Sequence, residues 1–349
     1  MTLGLGHQTQ YLNWRRVVDA RPDSVTPTWV PVSATVDAPL LKKLPLLSAN
    51  TRRTLSDWTA MRGGLKRGPF DAVLLNPHGL AVKHQDALSK QPAFLCLDAT
   101  RRQFEALGWY VPKTDRGLME SLRHRRQQRA LQAATGLFPV SDWAAQSLIE
   151  DYGADPARVH KLPIGIDPEL WCPPQQAPAD DGVVRLLFVG GAFRRKGGDL
   201  LLRWAAQTSR KNWELHIVTG QGNAAVPGVV YHQASNNSRA LIELAQRCHL
   251  FVLPTRADCS SIAALEAMAT GLPVLSTRTG GIPELIVEGK TGHVIAADSY
   301  DALHQRLDAM LEKPSLLAQM GRAARERVVA EFDSRVIIRR GLGIIAAAC

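Results

Sequence analysis

The stretch at residues 250–288, LFVLPTRADCSSIAALEAMATGLPVLSTRTGGIPELIVE, constrains the fold more than any other part of this chain. It opens on four apolar residues, 250–253, which suit a strand buried on both faces. A polar loop follows, and Ser260 or Ser261 can cap a short helix that carries Glu266 and stops at Gly271. A second apolar strand, 273–276, comes at once. Gly280-Gly281 then turns the chain, and Pro283 and Glu284 suit the first turn of another helix. The order strand, helix, strand, helix predicts two helix N-termini at one edge of a parallel sheet. Open α/β sheets bind ligands at that edge, and bare helix amides there favour anions. Asp258 and Glu266 bracket the first N-terminus. Two carboxylates beside an anion site suit hydroxyl groups better than phosphates.

A second segment, LLFVGGAFRRKGGDLLL at 186–202, repeats the theme with positive charge. A strand runs into Gly190-Gly191, then Arg194, Arg195 and Lys196, then Gly197-Gly198 and a helix. Glycines let backbone amides approach a ligand closely, and the helix start adds partial positive charge. A lysine there offers a charge-assisted contact worth about 1.5–3 kcal/mol. A dehydrogenase would need Gly-x-Gly-x-x-Gly after its strand, and this segment lacks that spacing.

Together the two segments resemble family 4 of the retaining glycosyltransferases, also called group 1. Its motif is Glu, seven residues, Glu, then Ala-Met-Ala-x-Gly-x-Pro-Val. LEAMATGLPV at 265–274 and GGIPELI at 280–286 match closely, with Asp258 in place of the first glutamate. The resemblance implies the GT-B fold, two doubly wound Rossmann-like domains facing a cleft. It also implies retaining transfer from a nucleotide-sugar co-substrate, with no metal and no other cofactor. Glu266 would then bind the ribose hydroxyls, and Asp258 the hydroxyls of the transferred sugar with a side chain about 1.5 Å shorter. Backbone amides near Ser260, Ser261 and Ile262 would hold the distal phosphate. Lys196 matches the lysine of the family's diphosphate-binding pair. The arginine of that pair falls on Gly191, so Arg194 or Arg195 is expected to supply the missing charge. Residues 220–222 and 232–238 lie where such folds place the base.

From residue 185 onward, apolar runs and helical patterns alternate at the spacing of a parallel sheet. Strands are expected at 185–189, 213–219 and 229–232, and helices at 199–207, 238–248, 299–311 and 315–332. The first half is less regular. Candidate strands there are 28–32, 72–75, 93–97, 136–140 and 159–162, with a helix at 141–152. A linker rich in Pro, Asp and Gly covers 163–182. The expected domains are therefore an acceptor-binding unit at 1–165 and a donor-binding unit at 166–333, with a terminal helix, 334–349, crossing back to the first.

Within the first half, GLGHQT at 4–9 looks like a glycine loop that approaches the donor, placing Gly6 on the donor and His7 on the acceptor side. It starts so near Met1 that either the domain edge is shortened or residues are missing before it. Asp98 ends a buried strand, where it can orient an acceptor hydroxyl or cap the next segment. His78 is another strand-end residue, and with Glu284 it completes the acceptor-side set.

Composition fits a folded enzyme of two domains: 349 residues, 45% hydrophobic and 21% charged. No apolar run near 18 residues, signal peptide or lipidation motif is evident, so a cytoplasmic protein is expected. The five cysteines show no metal-like spacing and suit unpaired thiols, with Cys259 a small filler in the site loop. The net charge of +10 is unevenly spread: residues 1–165 carry 22 Lys and Arg against 14 Asp and Glu. A basic first half suits an anionic membrane surface, a lipid-linked or otherwise acidic acceptor, or a solvated helix face at Arg123, Arg125, Arg126 and Arg129. No nucleic-acid module accompanies it, so no nucleic-acid partner is expected. The competing function is a catalytically silent homologue acting as a binding or partner subunit. Asp258, Gly191 and the short start favour it; the intact Lys196, Glu266 and Glu284 oppose it.

Overall fold

The structure, a computed structural model, describes residues 5–20, 25–31, 49–76, 78–83, 90–110, 117–176, 181–220 and 224–349. The chain divides into two compact units. The first comprises Met1–Gln103, Lys113–Gly165 and Ser334–Cys349; the second comprises Phe104–Pro112 and Ile166–Asp333.

The first unit holds a parallel sheet of β1 (Val73–Leu75), β2 (Ala93–Leu97) and β3 (Gly136–Pro139), in that order. All residues of β2 and β3 are buried, as continuous apolar runs in parallel strands require. Helices α1 (Leu5–Asp19), α2 (Ala49–Leu65), α3 (Arg101–Leu107), α4 (Leu118–Ala133) and α5 (Asp142–Glu150) are interspersed along the chain. Ser141 caps α5 by accepting the Ala144 amide at 3.1 Å. Residues 159–162 form no strand of their own. They run beside β3 with two amide bonds, His160 to the Leu137 carbonyl and Leu162 to the Pro139 carbonyl, each 2.8 Å.

Two expectations for this unit fail. Residues 28–31 form no strand, and Val32 lies outside the described residues. The expected glycine loop is helix from Leu5 onward, so Gly6 and His7 stand in the first turn of α1. The apolar spacing of Tyr11, Trp14, Val17 and Val18, all buried, drives that helix and overrides the local preference of one glycine.

The second unit is a six-stranded parallel sheet of order β6-β5-β4-β7-β8-β9. Its strands are β4 (Val184–Val189), β5 (Trp213–Val218), β6 (Val229–His232), β7 (Leu250–Leu253), β8 (Val274–Thr277) and β9 (Gly292–Ile295). Interleaved are α6 (Gly198–Gln207), α7 (Arg239–Arg247), α8 (Ile262–Ala269), α9 (Tyr300–Leu311) and α10 (Pro314–Glu331), and α11 (Ser334–Ala346) returns the chain to the first unit. Ranked by chain order the strands read 3-2-1-4-5-6, the doubly wound arrangement, with its switch point between β4 and β7. Every residue of β7 is fully buried, and each such side chain contributes about 1.5–3 kcal/mol.

The helix expected after Gly280-Gly281 is a three-residue 3-10 turn, Ile282–Glu284. Leu285 and Ile286 are drawn into the core, and the chain turns at 287–292 to enter β9, a strand absent from the expectations. Only fourteen residues separate β8 from β9, too few for a full crossover helix as well as this turn. Among the described residues no helix is long and apolar enough to cross a membrane.

Candidate functional site

The C-terminal ends of β4 and β7 flank the switch point of the second unit, and both end in loops rich in polar groups. After β4, residues 191–197 wind through tight turns, with the Lys196 amide on the Ala192 carbonyl at 2.9 Å. Gly197 ends this loop at φ +81°, where a Cβ would stand 2.0 Å from the Pro254 carbonyl oxygen. The loop therefore lies directly on the backbone that follows β7. Thr255 and Arg256 complete the contact: the Thr255 hydroxyl and the Arg256 amide both donate to the Arg195 carbonyl, at 3.2 and 2.8 Å.

This backbone register brings Lys196 onto Asp258. The ammonium and carboxylate form an ion pair with side chains 17% and 8% exposed. A pair this buried owes its stability to mutual neutralisation, since removing either partner would strand a charge away from water. Next to it, Ser261 caps α8 by accepting the Ala264 amide at 3.2 Å, a bond worth about 1 kcal/mol. Ser260 and Ile262 are half-buried at the same helix start. Gly280, at φ +53°, lets the turn after β8 cross the site loop, since a Cβ there would meet the Asp258 carbonyl oxygen at 2.0 Å. The Gly281 amide donates to the Cys259 carbonyl at 2.8 Å. These glycines serve a backbone crossing that holds Asp258 in place.

Glu266 lies within α8 and is 7% exposed. Burial pushes its carboxyl up to about 8. The remaining basic residues part company. Arg194 and Gly191 are exposed, whereas Arg195 is half-buried and donates through Nη1 to the Tyr110 hydroxyl at 2.7 Å and the Ala257 carbonyl at 2.6 Å. Local reading misses Arg256. It donates to both carboxylate oxygens of Asp199 at 2.6 and 3.0 Å, to Asp298 at 2.6 Å and to the Arg194 carbonyl at 2.5 Å. The Asp199 carboxylate raises its pKa. Nothing in its neighbourhood along the chain announces this role, because its acidic partners are 57 and 42 residues away.

Glu284 closes the 3-10 turn after β8, and its carbonyl accepts from Arg327 at 3.0 Å. Asp98, Gly6, His7 and His78 belong to the first unit. Asp98 is half-buried at the end of β2, and His78 opens a 3-10 turn, His78–Lys83. Of residues 220–222, expected near the base, 221 and 222 lie outside the described residues, while 232–238 begin at the last residue of the edge strand β6. Among the described residues no group of three or more His, Cys, Asp and Glu side chains is placed to hold a metal ion. The assembled chemistry is one lysine, two carboxyl groups and a capped helix start at a sheet edge. It suits an anion joined to a polyhydroxylated group.

Comparison with known proteins agrees. The model of the family described as "Glycosyl transferases group 1" matches residues 174–327. Alpha-maltose-1-phosphate synthase of Mycobacterium tuberculosis (strain CDC 1551 / Oshkosh) is 28% identical over 254 residues, covering 64% of this chain. The match spans 66% of that relative, just under two thirds of its length. Among solved structures, WaaG, a glycosyltransferase involved in lipopolysaccharide biosynthesis, superposes with a TM-score of 0.68 at 21% identity, over 97% of this chain and 96% of its own. Anabaena Alr3699/HepE in complex with UDP gives 0.67 at 15%, over 83% of this chain and 81% of its own. These likenesses establish the GT-B fold that the motif implied.

Proposed function

We propose, from the match of residues 174–327 to the group 1 glycosyltransferase family, that the chain moves a sugar from a nucleotide-diphosphate donor to an acceptor hydroxyl, with retention and without a metal. The observation that carries this reading is the Lys196–Asp258 pair at the switch point, beside the N-terminus of α8. In the donor complex Lys196 exchanges Asp258 for the diphosphate. Asp258, released from its counterion, accepts hydrogen bonds from hydroxyls of the sugar. Arg194 and the first amides of α8 add positive potential where negative charge develops on the leaving group. Glu266 takes the ribose hydroxyls. The sugar passes through an oxocarbenium-like state, and the acceptor attacks from the face the diphosphate leaves, with Asp98 orienting its hydroxyl. His7 and His78 are the first unit's candidates for acceptor recognition and Glu284 is the second unit's, and a glycan or lipid-linked acceptor fits the basic first unit. Peripheral contact of a cytoplasmic protein with an anionic membrane follows from the same charge.

The test is binding and slow hydrolysis of a panel of UDP-, GDP- and ADP-sugars, with Lys196→Ala and Glu266→Ala as controls. One donor class that binds and turns over, with both controls impaired at least about tenfold, supports the reading and names the base. A folded wild-type protein that binds none of them overturns it. That result favours the silent partner subunit, a reading motivated by Asp258 and Gly191 where the family motif has Glu and Arg.

A further inference from the structure

Residues 104–112 lie far from the donor segments in sequence, yet they form part of the second unit. They bring Trp109 and Tyr110 onto the loops that carry Lys196 and Asp258, with the Trp109 ring 6.0 Å from the Arg256 guanidinium carbon. Tyr110 is the more tightly held. Its hydroxyl accepts from Arg195 Nη1 at 2.7 Å and lies 3.4 Å from the Ala257 carbonyl, to which it donates. Its ring stands 4.7 Å from the guanidinium carbon and packs edge-on against Phe104 at 5.1 Å. Arg195 Nη1 also reaches the Ala257 carbonyl, at 2.6 Å. One arginine, one phenol and one carbonyl thus close a three-membered hydrogen-bond ring.

The position of that ring gives it meaning. Arg195 precedes Lys196, and Ala257 precedes Asp258. The ring therefore staples together the two peptide segments immediately next to the ion pair, while the Arg195 carbonyl is held separately by Thr255 and Arg256. Once a diphosphate takes Lys196 from Asp258, the ion pair no longer joins the two loops and the ring does. We propose that Tyr110 is a positioning residue: acting through Arg195 and the Ala257 carbonyl, it keeps Asp258 aimed at the transferred sugar when Lys196 turns to the diphosphate. This rests on the proposed transferase reading, and it gives Arg195 Nη1 to the ring.

A double-mutant cycle with Tyr110→Phe and Arg195→Ala tests it. Phenylalanine keeps the packing on Phe104 and the ring over the guanidinium, and it removes both bonds of the hydroxyl. Donor kcat/KM should fall about 3- to 10-fold in Tyr110→Phe, with a thermal midpoint lowered by no more than about 2–4 °C per kcal/mol lost. The same change made in the Arg195→Ala protein should cost nothing further. Hydrogen exchange of the ligand-free proteins supplies a readout that does not depend on turnover. The amides of 255–261 should exchange faster in Tyr110→Phe than in wild type. Wild-type exchange in that segment, or a loss in kcat/KM that persists undiminished in the Arg195→Ala background, would overturn the proposal. Failure of the functional reading shows differently, as a wild-type protein that turns over no donor while Tyr110→Phe still loosens 255–261.

Discussion

Glu266 is the residue whose environment says most about its task. Its carboxyl is pushed up to about 8 by burial alone, so at neutral pH the ligand-free site keeps it largely protonated. An unfolded chain ionises the same group near its ordinary value of 4.5. Between about pH 4.5 and about pH 8 the unfolded state sheds a proton that the folded state retains. Stability contributed by this residue is therefore complete below that window and lost as pH rises through it, at up to about 1.4 kcal/mol per pH unit. Glu266→Gln should flatten the fall, and denaturant midpoints of both proteins from pH 5 to 9 measure it. Ribose hydroxyls donating to the carboxylate would favour its ionised form. Nucleotide binding near neutral pH should accordingly release a proton, seen as a binding enthalpy that varies with the buffer. A binding enthalpy independent of buffer would remove Glu266 from the donor site.

At the scale of elements, the site is made by two loops that must lie backbone on backbone. Gly197 is where that approach is closest. Its φ of +81° already disfavours any other residue, and a methyl group would meet the Pro254 carbonyl at 2.0 Å. Gly197→Ala should cost about 2–4 kcal/mol and displace Lys196 from Asp258, lowering donor binding more than the Tyr110 change does. Chemical unfolding paired with donor titration checks both effects. An alanine variant of wild-type stability would mean that the loop relaxes without harm. The short turn after β8 illustrates the converse. Burial of Leu285 and Ile286 and the entry into β9 outweigh the helix-start signals of Pro283 and Glu284, because tertiary burial is worth more than first-turn propensity.

For the molecule as a whole, charge is the feature with a consequence outside the site. The basic surplus of residues 1–165 includes Arg123, Arg125, Arg126 and Arg129 on α4, all exposed. Each basic side chain near an anionic bilayer contributes about 1 kcal/mol. Neutralising Arg123, Arg125 and Arg126 together should then weaken partition onto vesicles containing phosphatidylserine by about 100-fold, and added salt should weaken the wild type likewise. Vesicle co-sedimentation distinguishes this from a merely solvated helix face, for which the triple variant would partition as the parent does.

Much of the second unit was legible because its signals are local. Apolar runs at 185–189, 229–232 and 250–253, the cap at Ser261 and the stop at Gly271 each depend on a few adjacent residues, and the strands and helices fall within a residue or two of where they predict them. The family motif, too, is a run of neighbours, so Glu266 and Lys196 could be singled out from the chain alone. What the sequence could not decide are pairings between distant positions. Lys196 meets Asp258 across 62 residues, and Arg195 meets Tyr110 across 85. Strand register and the packing of loops select those partners, and an arginine beside a lysine looks the same along the chain whether it faces a phosphate or a phenol. The same holds for α1, where buried Trp14 and Val18 turned an expected glycine loop into helix. Sequence determined most elements of the second unit and which residues reach its sheet edge; only the tertiary structure decided which of those residues are spent on one another and which remain for a ligand, because charge neutralisation and burial are properties of neighbours in space.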